Sequence, residues 1–267
     1  MVFLCLKLIG GRKLKEYPKT RKYDKNWIAE NRMGPNPILL MEELCENLDL
    51  HPGMKVLDMG CGKGLTSVFL AKEYGVTVFA NDLWISATDN LRRFEEAGVA
   101  DKVFPIHAEA HALPYANGFF DAALSIDSYH YYGTCEHYFP CIYSKLVKPN
   151  GQFGIVAPGY TKEYENGHPK WMFEFLEKQR KKQSSELWLP NENSDELWGE
   201  DMFTFHSNKW WRKLWEKTGL VEITACYDIE DAHGIWRYED GWVEYIDADT
   251  DNDIAFIVMA ATKKEGK

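Results

Sequence analysis

The feature that most constrains the fold is a repeated alternation of short apolar runs with segments of helical pattern. The first unit is an apolar run at 55–58, a loop with glycine at positions 60, 62 and 64, and a helical pattern at 65–74. Units of this kind bring the chain back to the same edge of a sheet, so successive strands lie parallel with helices on both faces. The sequence therefore predicts an α/β fold with a doubly wound, mostly parallel sheet.

Capping and turn residues set the bounds of the predicted elements. Asn36 and Ser86 precede helical patterns as N-caps, and Pro37 suits the first position of a helix. The predicted helices cover 38–48, 65–74, 87–97, 210–217 and a segment that ends near 147, and the predicted strands cover 55–58, 76–80, 103–106, 120–126, 152–156, 221–227 and 254–261.

The spacing of these elements divides the chain into four predicted parts. Residues 1–36 are polar and basic and are predicted to form an N-terminal lid segment, followed by a core at 37–159. Residues 160–206 break the alternation and mix many aromatic residues with charges, as an inserted cap over a pocket would. Residues 207–267 return to the regular pattern and are predicted to complete the core sheet.

Charge and cysteine content exclude several classes of function. The chain carries 31 Lys and Arg against 41 Asp and Glu, a net charge of −10, so it lacks the positive field that holds a nucleic-acid backbone. Its basic start either touches anionic lipid or is a solvated tail, and the apolar run at 1–9 is too short to span a membrane. The six cysteines include no CxxC pair. We expect a cytoplasmic protein with no nucleic-acid partner, no stable membrane insertion and no metal.

The glycine loop at 56–64, Val-Leu-Asp-Met-Gly-Cys-Gly-Lys-Gly, carries the strongest chemical signal. Alternate glycines let the backbone turn tightly and approach a ligand where open α/β sheets bind cofactors. A dinucleotide fingerprint needs a further glycine where Leu65 stands, and a phosphate-binding P-loop needs Ser or Thr after Lys63. These departures disfavour a pyrophosphate ligand.

Together with three later motifs, this loop resembles the class I S-adenosylmethionine-dependent methyltransferases. The loop matches the family form acidic-x-G-x-G-x-G, and the later motifs lie at 108–115, 119–126 and 146–152. The resemblance is strongest to small-molecule enzymes, including those similar to ubiquinone/menaquinone-pathway methyltransferases and cyclopropane-fatty-acid synthases. It implies a Rossmann-like, seven-stranded sheet, S-adenosyl-L-methionine as cofactor and S-adenosyl-L-homocysteine as product. Residues 37–159 would be the cofactor-binding core, and 160–206 would cap the acceptor site.

The resemblance also implies which residues bind the cofactor. Asp58 would reach the methionine ammonium group, Asp82 would hold both ribose hydroxyls, and Glu109 would accept from the adenine amino group. A carboxylate suits vicinal hydroxyls because each oxygen accepts one hydrogen bond. The full predicted cofactor set is Asp58, Gly60, Cys61, Gly62, Gly64, Asp82, Leu83, Glu109, Ala110 and Ser125.

The residues after the fourth predicted strand are the candidates for catalysis, because they face the transferred methyl group in this fold. His130 is either a general base or a packed histidine that orients the loop. Asp127 contacts the methionine end, orients an acceptor amine or caps a helix. Tyr129 and Tyr132 either line the acceptor pocket or pack in the core.

Aromatic residues outside this stretch are candidates for binding the acceptor. Trp84, Trp171 and Trp188 would form a cage for a cation or a flat ring, with core packing as the alternative. The favoured function is in-line methyl transfer to a small-molecule acceptor. The alternatives are a non-catalytic S-adenosylmethionine sensor or scaffold and, less favoured, cyclopropane-synthase-like lipid modification, in which a glutamate usually stands where Tyr129 does. The acceptor, the methylated atom and the oligomeric state are left open.

Overall fold

A seven-stranded sheet forms the centre of the molecule. The computed structural model describes residues 8–9, 12–13, 15–183, 204–237 and 243–266. The strands of the sheet are β1 Lys55–Met59, β2 Thr77–Asp82, β3 Val103–His107, β4 Phe120–Ile126, β5 Val147–Tyr160, β6 Val221–Asp228 and β7 Ile254–Lys263. Their spatial order is β3-β2-β1-β4-β5-β7-β6, and β7 alone of these runs antiparallel to its neighbours β5 and β6. The predicted fold class, a mostly parallel doubly wound sheet, is confirmed.

Helices connect the strands and cover both faces of the sheet. Asn36 accepts hydrogen bonds from the backbone amides of Ile38 and Leu39, and Ser86 accepts from that of Asp89, so both predicted N-caps are confirmed. The helices are α1 Lys25–Asn31, α2 Pro37–Cys45, α3 Leu65–Tyr74, α4 Ala87–Glu96, α5 Lys170–Gln183, α6 Asn208–Glu216, α7 Ala232–Arg237 and α8 Val243–Ala248, with a short antiparallel strand pair at Leu8–Ile9 and Arg12–Lys13.

The two faces of the sheet bury different side chains. One face packs mainly aliphatic residues of α2 and α3, such as Leu40 and Leu70, against the strands. The other face holds a cluster of large aromatic rings, in which Trp211 and Trp215 of α6 lie against Tyr129. Burial of this apolar area on both faces stabilises the strands that carry the site.

The helix predicted to end near 147 is present, but it is short. After a 3-10 turn at Tyr129–Tyr131, the chain forms a π-helical segment at Phe139–Tyr143 that continues into one α-helical turn at Ser144–Leu146. Pro140 lies at the start of this segment, where its missing N–H costs no hydrogen bond within the helix.

Residues 15–24 are fastened to the core by two buried glutamates of α2. Glu42 accepts hydrogen bonds from the backbone amide and the hydroxyl of Thr20, both at 2.6 Å. Glu43 accepts from the Tyr17 hydroxyl at 2.7 Å and pairs with Lys15 at 2.7 Å. This attachment brings the following residues, 31–37, to the carboxyl edge of the parallel strands.

The described part of the predicted cap lies beside the end of β5. It includes α5 and residues 204–206, whereas 184–203, and with them Trp188, lie outside the described residues. Trp171 of α5 donates to Asp253 at 3.3 Å and packs against Tyr245. Of the helices in the described ranges, none combines the length and the apolar character that a membrane crossing requires.

Candidate functional site

A cavity of about 330 Å³ opens at the carboxyl edge of the parallel strands. Five stretches of chain contribute its walls: 31–37, 59–66, 81–84, 108–111 and 126–132. Four of them follow the neighbouring strands β1 to β4, and the fifth leads into α2. The crevice beyond the carboxyl ends of parallel strands is where open α/β sheets bind their ligands.

The glycine loop forms the floor of the cavity with backbone rather than side chains. Gly60 and Gly64 have φ angles of 69° and 81°, a left-handed conformation that favours glycine. A Cβ on Gly60 would collide with the Ser128 side chain, and one on Gly64 with the ring of Phe94. Both glycines are therefore needed for the loop to pass this close to its neighbours. Gly60, Cys61 and Gly62 line the cavity, whereas Gly64 lies outside its wall. Burial raises the pKa of the Cys61 thiol well above its ordinary range.

Asp82 lines the cavity and also holds two loops together. Its Oδ2 accepts from the Gly62 amide at 2.8 Å, and its Oδ1 accepts from the amides of Trp84 and Ile85 at 2.8 and 2.9 Å. A carboxylate has about four acceptor positions, so one position stays open toward a ligand hydroxyl. The acid predicted to bind ribose is thus also a structural tie between the glycine loop and the chain after β2.

Asp58 lies behind the glycine loop rather than in the cavity wall. Its Oδ2 accepts from the hydroxyls of Thr66 and Ser67 at 2.6 and 2.5 Å, while its buried Oδ1 has no partner among the described residues. Burial raises the pKa of Asp58 to about 6, although the two hydroxyls act to lower it. This oxygen is buried and lies outside the cavity wall, so the contact of Asp58 with a ligand ammonium group stays a prediction.

The predicted adenine segment forms a second wall. Glu109 accepts from the His111 backbone amide at 2.8 Å and faces the His111 ring at 2.6 Å. Partial burial raises the pKa of Glu109, but these contacts outweigh it and the pKa is lowered. Ala110 is buried in the wall, and Leu83 lies exposed in it.

Asp127 lies in the cavity in an unusual backbone conformation. Its φ is 51°, and its amide donates to the Val156 carbonyl of β5 at 2.8 Å. No donor among the described residues lies within hydrogen-bond distance of its carboxylate. Burial alone raises its pKa from the ordinary 3.8 to about 7.

Tyr132 is the second predicted catalytic residue in the cavity wall. Its hydroxyl lies 3.1 Å from Ser125 Oγ, 3.2 Å from Ser128 Oγ and 3.4 Å from the Met59 carbonyl. Burial raises the pKa of this phenol, so it stays protonated near neutral pH. Ser125 is fully buried below it and supports the hydroxyl from behind the wall.

The other two predicted catalytic residues lie outside the cavity. Tyr129 is fully buried in the aromatic cluster, and His130 is 2% exposed beside Tyr131 and Phe205. The His130 Nδ1 has no partner in the described part of the chain, and burial lowers the pKa of the ring to about 3. His130 is neutral at pH 7, and its role as a base stays a prediction without geometric support.

An apolar rim surrounds the mouth of the cavity. We define it as Met33, Leu83, Trp84 and Tyr131, whose side chains are 38–64% exposed. Trp84 was predicted to face the acceptor, and its ring centroid lies 6.1 Å from that of Tyr131. Trp171, predicted with it, packs elsewhere because its ring faces Tyr245.

Residues 31–37 overlap the predicted lid segment, but sequence reasoning named no individual site residue among them. Met33 packs over Gly62, and Gly34 faces the carboxylate of Asp127. Gly34-Pro35 was the available signal, since this pair fixes a turn just before an N-cap. In the described ranges, no three His, Cys, Asp or Glu side chains come together as a metal site.

Comparison with known proteins gives this geometry a context. Residues 56–151 match the sequence family described as "Methyltransferase domain". Methyltransferase GfsG of Streptomyces halstedii is 38% identical over 90 residues, 33% of this chain and 32% of that protein. Sterol 24-C-methyltransferase of Yarrowia lipolytica is 27% identical over 130 residues, 48% of this chain and 33% of that protein. The chain thus spans about a third of the length of these curated relatives.

The fold comparison agrees with the sequence match. The crystal structure of geranyl diphosphate C-methyltransferase from Streptomyces coelicolor superposes with a TM-score of 0.64 at 17% identity, covering 84% of this chain and 78% of that one. This likeness concerns the fold. Residues 56–151 thus match a methyltransferase domain in sequence, and the chain has a Rossmann-like methyltransferase fold.

Proposed function

We propose that this protein transfers the methyl group of S-adenosylmethionine to a small-molecule acceptor. The observation that carries the proposal is the meeting of three separate motifs around one cavity. The glycine loop, Asp82 and the segment 108–111 are far apart in the sequence, and all three line it. A tight turn alone would explain the glycines but not the other two walls.

The residues in the cavity fit the cofactor. Gly60 and Gly62 offer backbone without side chains, and Asp82 keeps an acceptor position for a ribose hydroxyl. Behind the loop, the buried Asp58 Oδ1 has no partner among the described residues. Glu109, Ala110 and Leu83 flank the space proposed for adenine. When bound, the cofactor supplies a methyl group on a positively charged sulfur. The protein's part is to orient the acceptor and exclude water.

The apolar rim supports an acceptor with an apolar or aromatic body. Exposed apolar side chains that converge on one cavity mark a ligand-binding surface rather than ordinary surface residues. Among the similar proteins, the printed names include methyltransferases for a sterol and for geranyl diphosphate, and both acceptors contain a large hydrocarbon part. Trp84 and Tyr131 are the rings we assign to this contact.

Residues 31–37 support the proposed lid. They reach over Gly62 and Asp127 while 15–24 stay fastened to α2, an arrangement that would cover a bound cofactor. We keep 160–206 as a proposed cap, although none of the described residues in that range lines the cavity. Of the predicted catalytic residues, Asp127 and Tyr132 are in a position to touch ligands. A cytoplasmic location stays a prediction from the sequence.

Calorimetric titration with S-adenosylmethionine and S-adenosylhomocysteine, with NAD as control, tests the proposal. We expect micromolar binding of the first two alone, and Asp82→Ala should weaken it by more than about tenfold. The matched control is Asp101→Ala, an exposed aspartate in the turn before β3, which should leave affinity unchanged. Binding of NAD alone would contradict the proposal.

Turnover separates an enzyme from a sensor. With a pool of small acceptors, an enzyme forms S-adenosylhomocysteine in proportion to the protein added. Tight cofactor binding without any product from broad acceptor pools would favour the non-catalytic S-adenosylmethionine-binding alternative.

A further inference from the structure

The acids of the cavity differ in what they bind within the protein. Three carboxylates line it: those of Asp82, Glu109 and Asp127. Asp82 accepts from three backbone amides, and Glu109 is paired with His111. The carboxylate of Asp127 has no hydrogen-bond or ion-pair partner among the residues that the structure describes. It is the carboxylate that the fold leaves for a ligand.

The Lys and Arg side chains that line the cavity do not pair with the Asp127 carboxylate. Lys63 donates to the Glu30 carbonyl at 3.1 Å, and Arg32 donates to the Gly34 carbonyl at 3.4 Å. Both lie on the wall formed by the lid segment and the glycine loop. A carboxylate in a largely apolar cavity is costly to ionise unless a cation joins it.

The backbone directs this carboxylate into the space beneath the lid segment. Asp127 adopts its left-handed φ of 51° while its amide is held by Val156 of β5. Its Oδ2 would lie 2.5 Å from a Cβ on Gly34, so glycine at this position leaves room for the carboxylate. Sparsely populated backbone conformations persist where the surrounding structure imposes them, often at ligand sites.

Resting on the proposed function, we propose that Asp127 binds the amino group of the acceptor and takes the proton that this nitrogen must lose. The acceptor is then a primary or secondary amine with an apolar or aromatic body, and the reaction is N-methylation. In this proposal the cofactor's ammonium group is assigned to Asp58, as the sequence predicts, and the acceptor's amino group to Asp127.

The proposed reaction transfers one proton to Asp127 and one methyl group to the acceptor nitrogen. The bound ammonium gives one proton to the Asp127 carboxylate, which frees the nitrogen lone pair. That pair forms the bond to the methyl carbon as the carbon–sulfur bond breaks, and the bonding pair stays on sulfur, giving neutral S-adenosylhomocysteine. Asp127 later releases its proton to solvent. A carboxyl group that titrates near neutral pH can do both steps.

The test uses the full chain and cofactor labelled with tritium in the methyl group. Four pools share the same C6–C10 aromatic and aliphatic skeletons and differ in the group they carry: amine, hydroxyl, thiol or carboxyl. We expect label in the amine pool alone and a fall of about a hundredfold with Asp127→Asn. Asparagine tolerates the left-handed conformation, as Asn150 and Asn252 do here, so the variant keeps its backbone. Asp101→Asn is the control.

A second arm distinguishes the amine of the acceptor from that of the cofactor. S-adenosylhomocysteine and its analogue without the amino group are titrated into the wild type and Asp127→Asn. We expect the variant's affinities to stay within about threefold of the wild type's. A loss of tenfold or more that is seen with S-adenosylhomocysteine but not with the analogue would assign Asp127 to the cofactor and overturn the proposal.

The remaining outcomes are equally decisive. Label only in the other pools, full activity of Asp127→Asn on amines, or no label in any pool from protein that binds the cofactor would each overturn the amine assignment while the cofactor site stands. Failure of the wild type to bind S-adenosylmethionine would instead remove the proposed function on which this assignment rests.

Discussion

The loops after β2 and β4 each place an aspartate in the same cavity, yet the two acids have opposite surroundings. The Asp82 carboxylate accepts hydrogen bonds from three backbone amides, whereas the Asp127 carboxylate has no partner in the described part of the chain. The first carboxylate is satisfied by the protein before any ligand arrives. The second is left for a ligand, and burial raises its pKa to about 7.

Asp82 therefore stabilises the structure of the site, whereas Asp127 is available to bind a ligand. Asp82 fixes the glycine loop against the chain after β2, so its removal harms the shape of the cofactor side even without a ligand. Asp127 contributes nothing comparable to the fold and stores an unfavourable desolvation energy instead. The two acids should therefore respond oppositely to neutralisation, one losing stability and the other gaining it.

The largest expected effect comes from removing the satisfied acid. Asp82→Ala leaves the amides of Gly62, Trp84 and Ile85 without their acceptor, and we expect the free energy of unfolding to fall by about 3 kcal/mol. Chemical denaturation of the ligand-free protein measures this. Asp101→Ala is the control, and equal stability of the two variants would show that Asp82 is not a structural tie.

Neutralising the unpaired acid should have the opposite sign. Because the pKa of Asp127 is raised from 3.8 to about 7, the folded state keeps a proton that the unfolded chain loses between about pH 4 and pH 7. Stability falls as the pH rises through this window. Asp127→Asn cannot lose that proton, so at pH 8 it should exceed the wild type by about 2 kcal/mol and show a flatter pH profile.

Denaturation midpoints of both proteins from pH 5 to 8 provide the measurement. Asp58, whose pKa is raised to about 6, contributes a slope of the same sign and remains in the variant, so part of the dependence persists. An unchanged profile would mean that the Asp127 carboxylate is not desolvated in the cavity.

A substitution at Gly34 should change the space around Asp127 without affecting Asp82. Gly34→Ala puts a methyl group 2.5 Å from the Asp127 carboxylate, so the lid segment must shift where the acceptor is proposed to bind. We expect the acceptor KM to rise about tenfold while cofactor affinity stays within about threefold. Steady-state kinetics with any amine that turns over, and calorimetry with S-adenosylhomocysteine, give the two values. Equal losses in both would place Gly34 on the cofactor side.

The two acids also differ in how much of their role could be predicted from the sequence. The glycine loop and Asp82 belong to local patterns, a strand that ends in a turn, and the sheet order then brings them to one edge. The position of Asp127 followed from the same rule. Its lack of a partner did not, because that depends on which donors fold near it.

Contacts between distant segments account for what the sequence missed. Gly34 lies just before α2 and meets Asp127 across the sheet edge, a contact between residues far apart in the sequence. Aromatic residues were ambiguous for a related reason. Trp84 joins the rim and Trp171 turns to Tyr245, and nothing in their spacing tells which face of the fold each ring will meet.

The smallest expected effect concerns the residue that links the two loops. The Tyr132 hydroxyl contacts Ser128, which lies against Gly60, and the Met59 carbonyl at the start of the glycine loop. Tyr132→Phe removes three hydrogen bonds of 3.1–3.4 Å that are long for hydroxyl donors, so we expect a loss of about 1 kcal/mol in stability.

Tyr115→Phe is the matched control, because the buried Tyr115 hydroxyl has no partner among the described residues and its removal should cost nothing. If both variants unfold at the same denaturant concentration, the Tyr132 hydroxyl does not couple the loops, and the acids after β2 and β4 act independently.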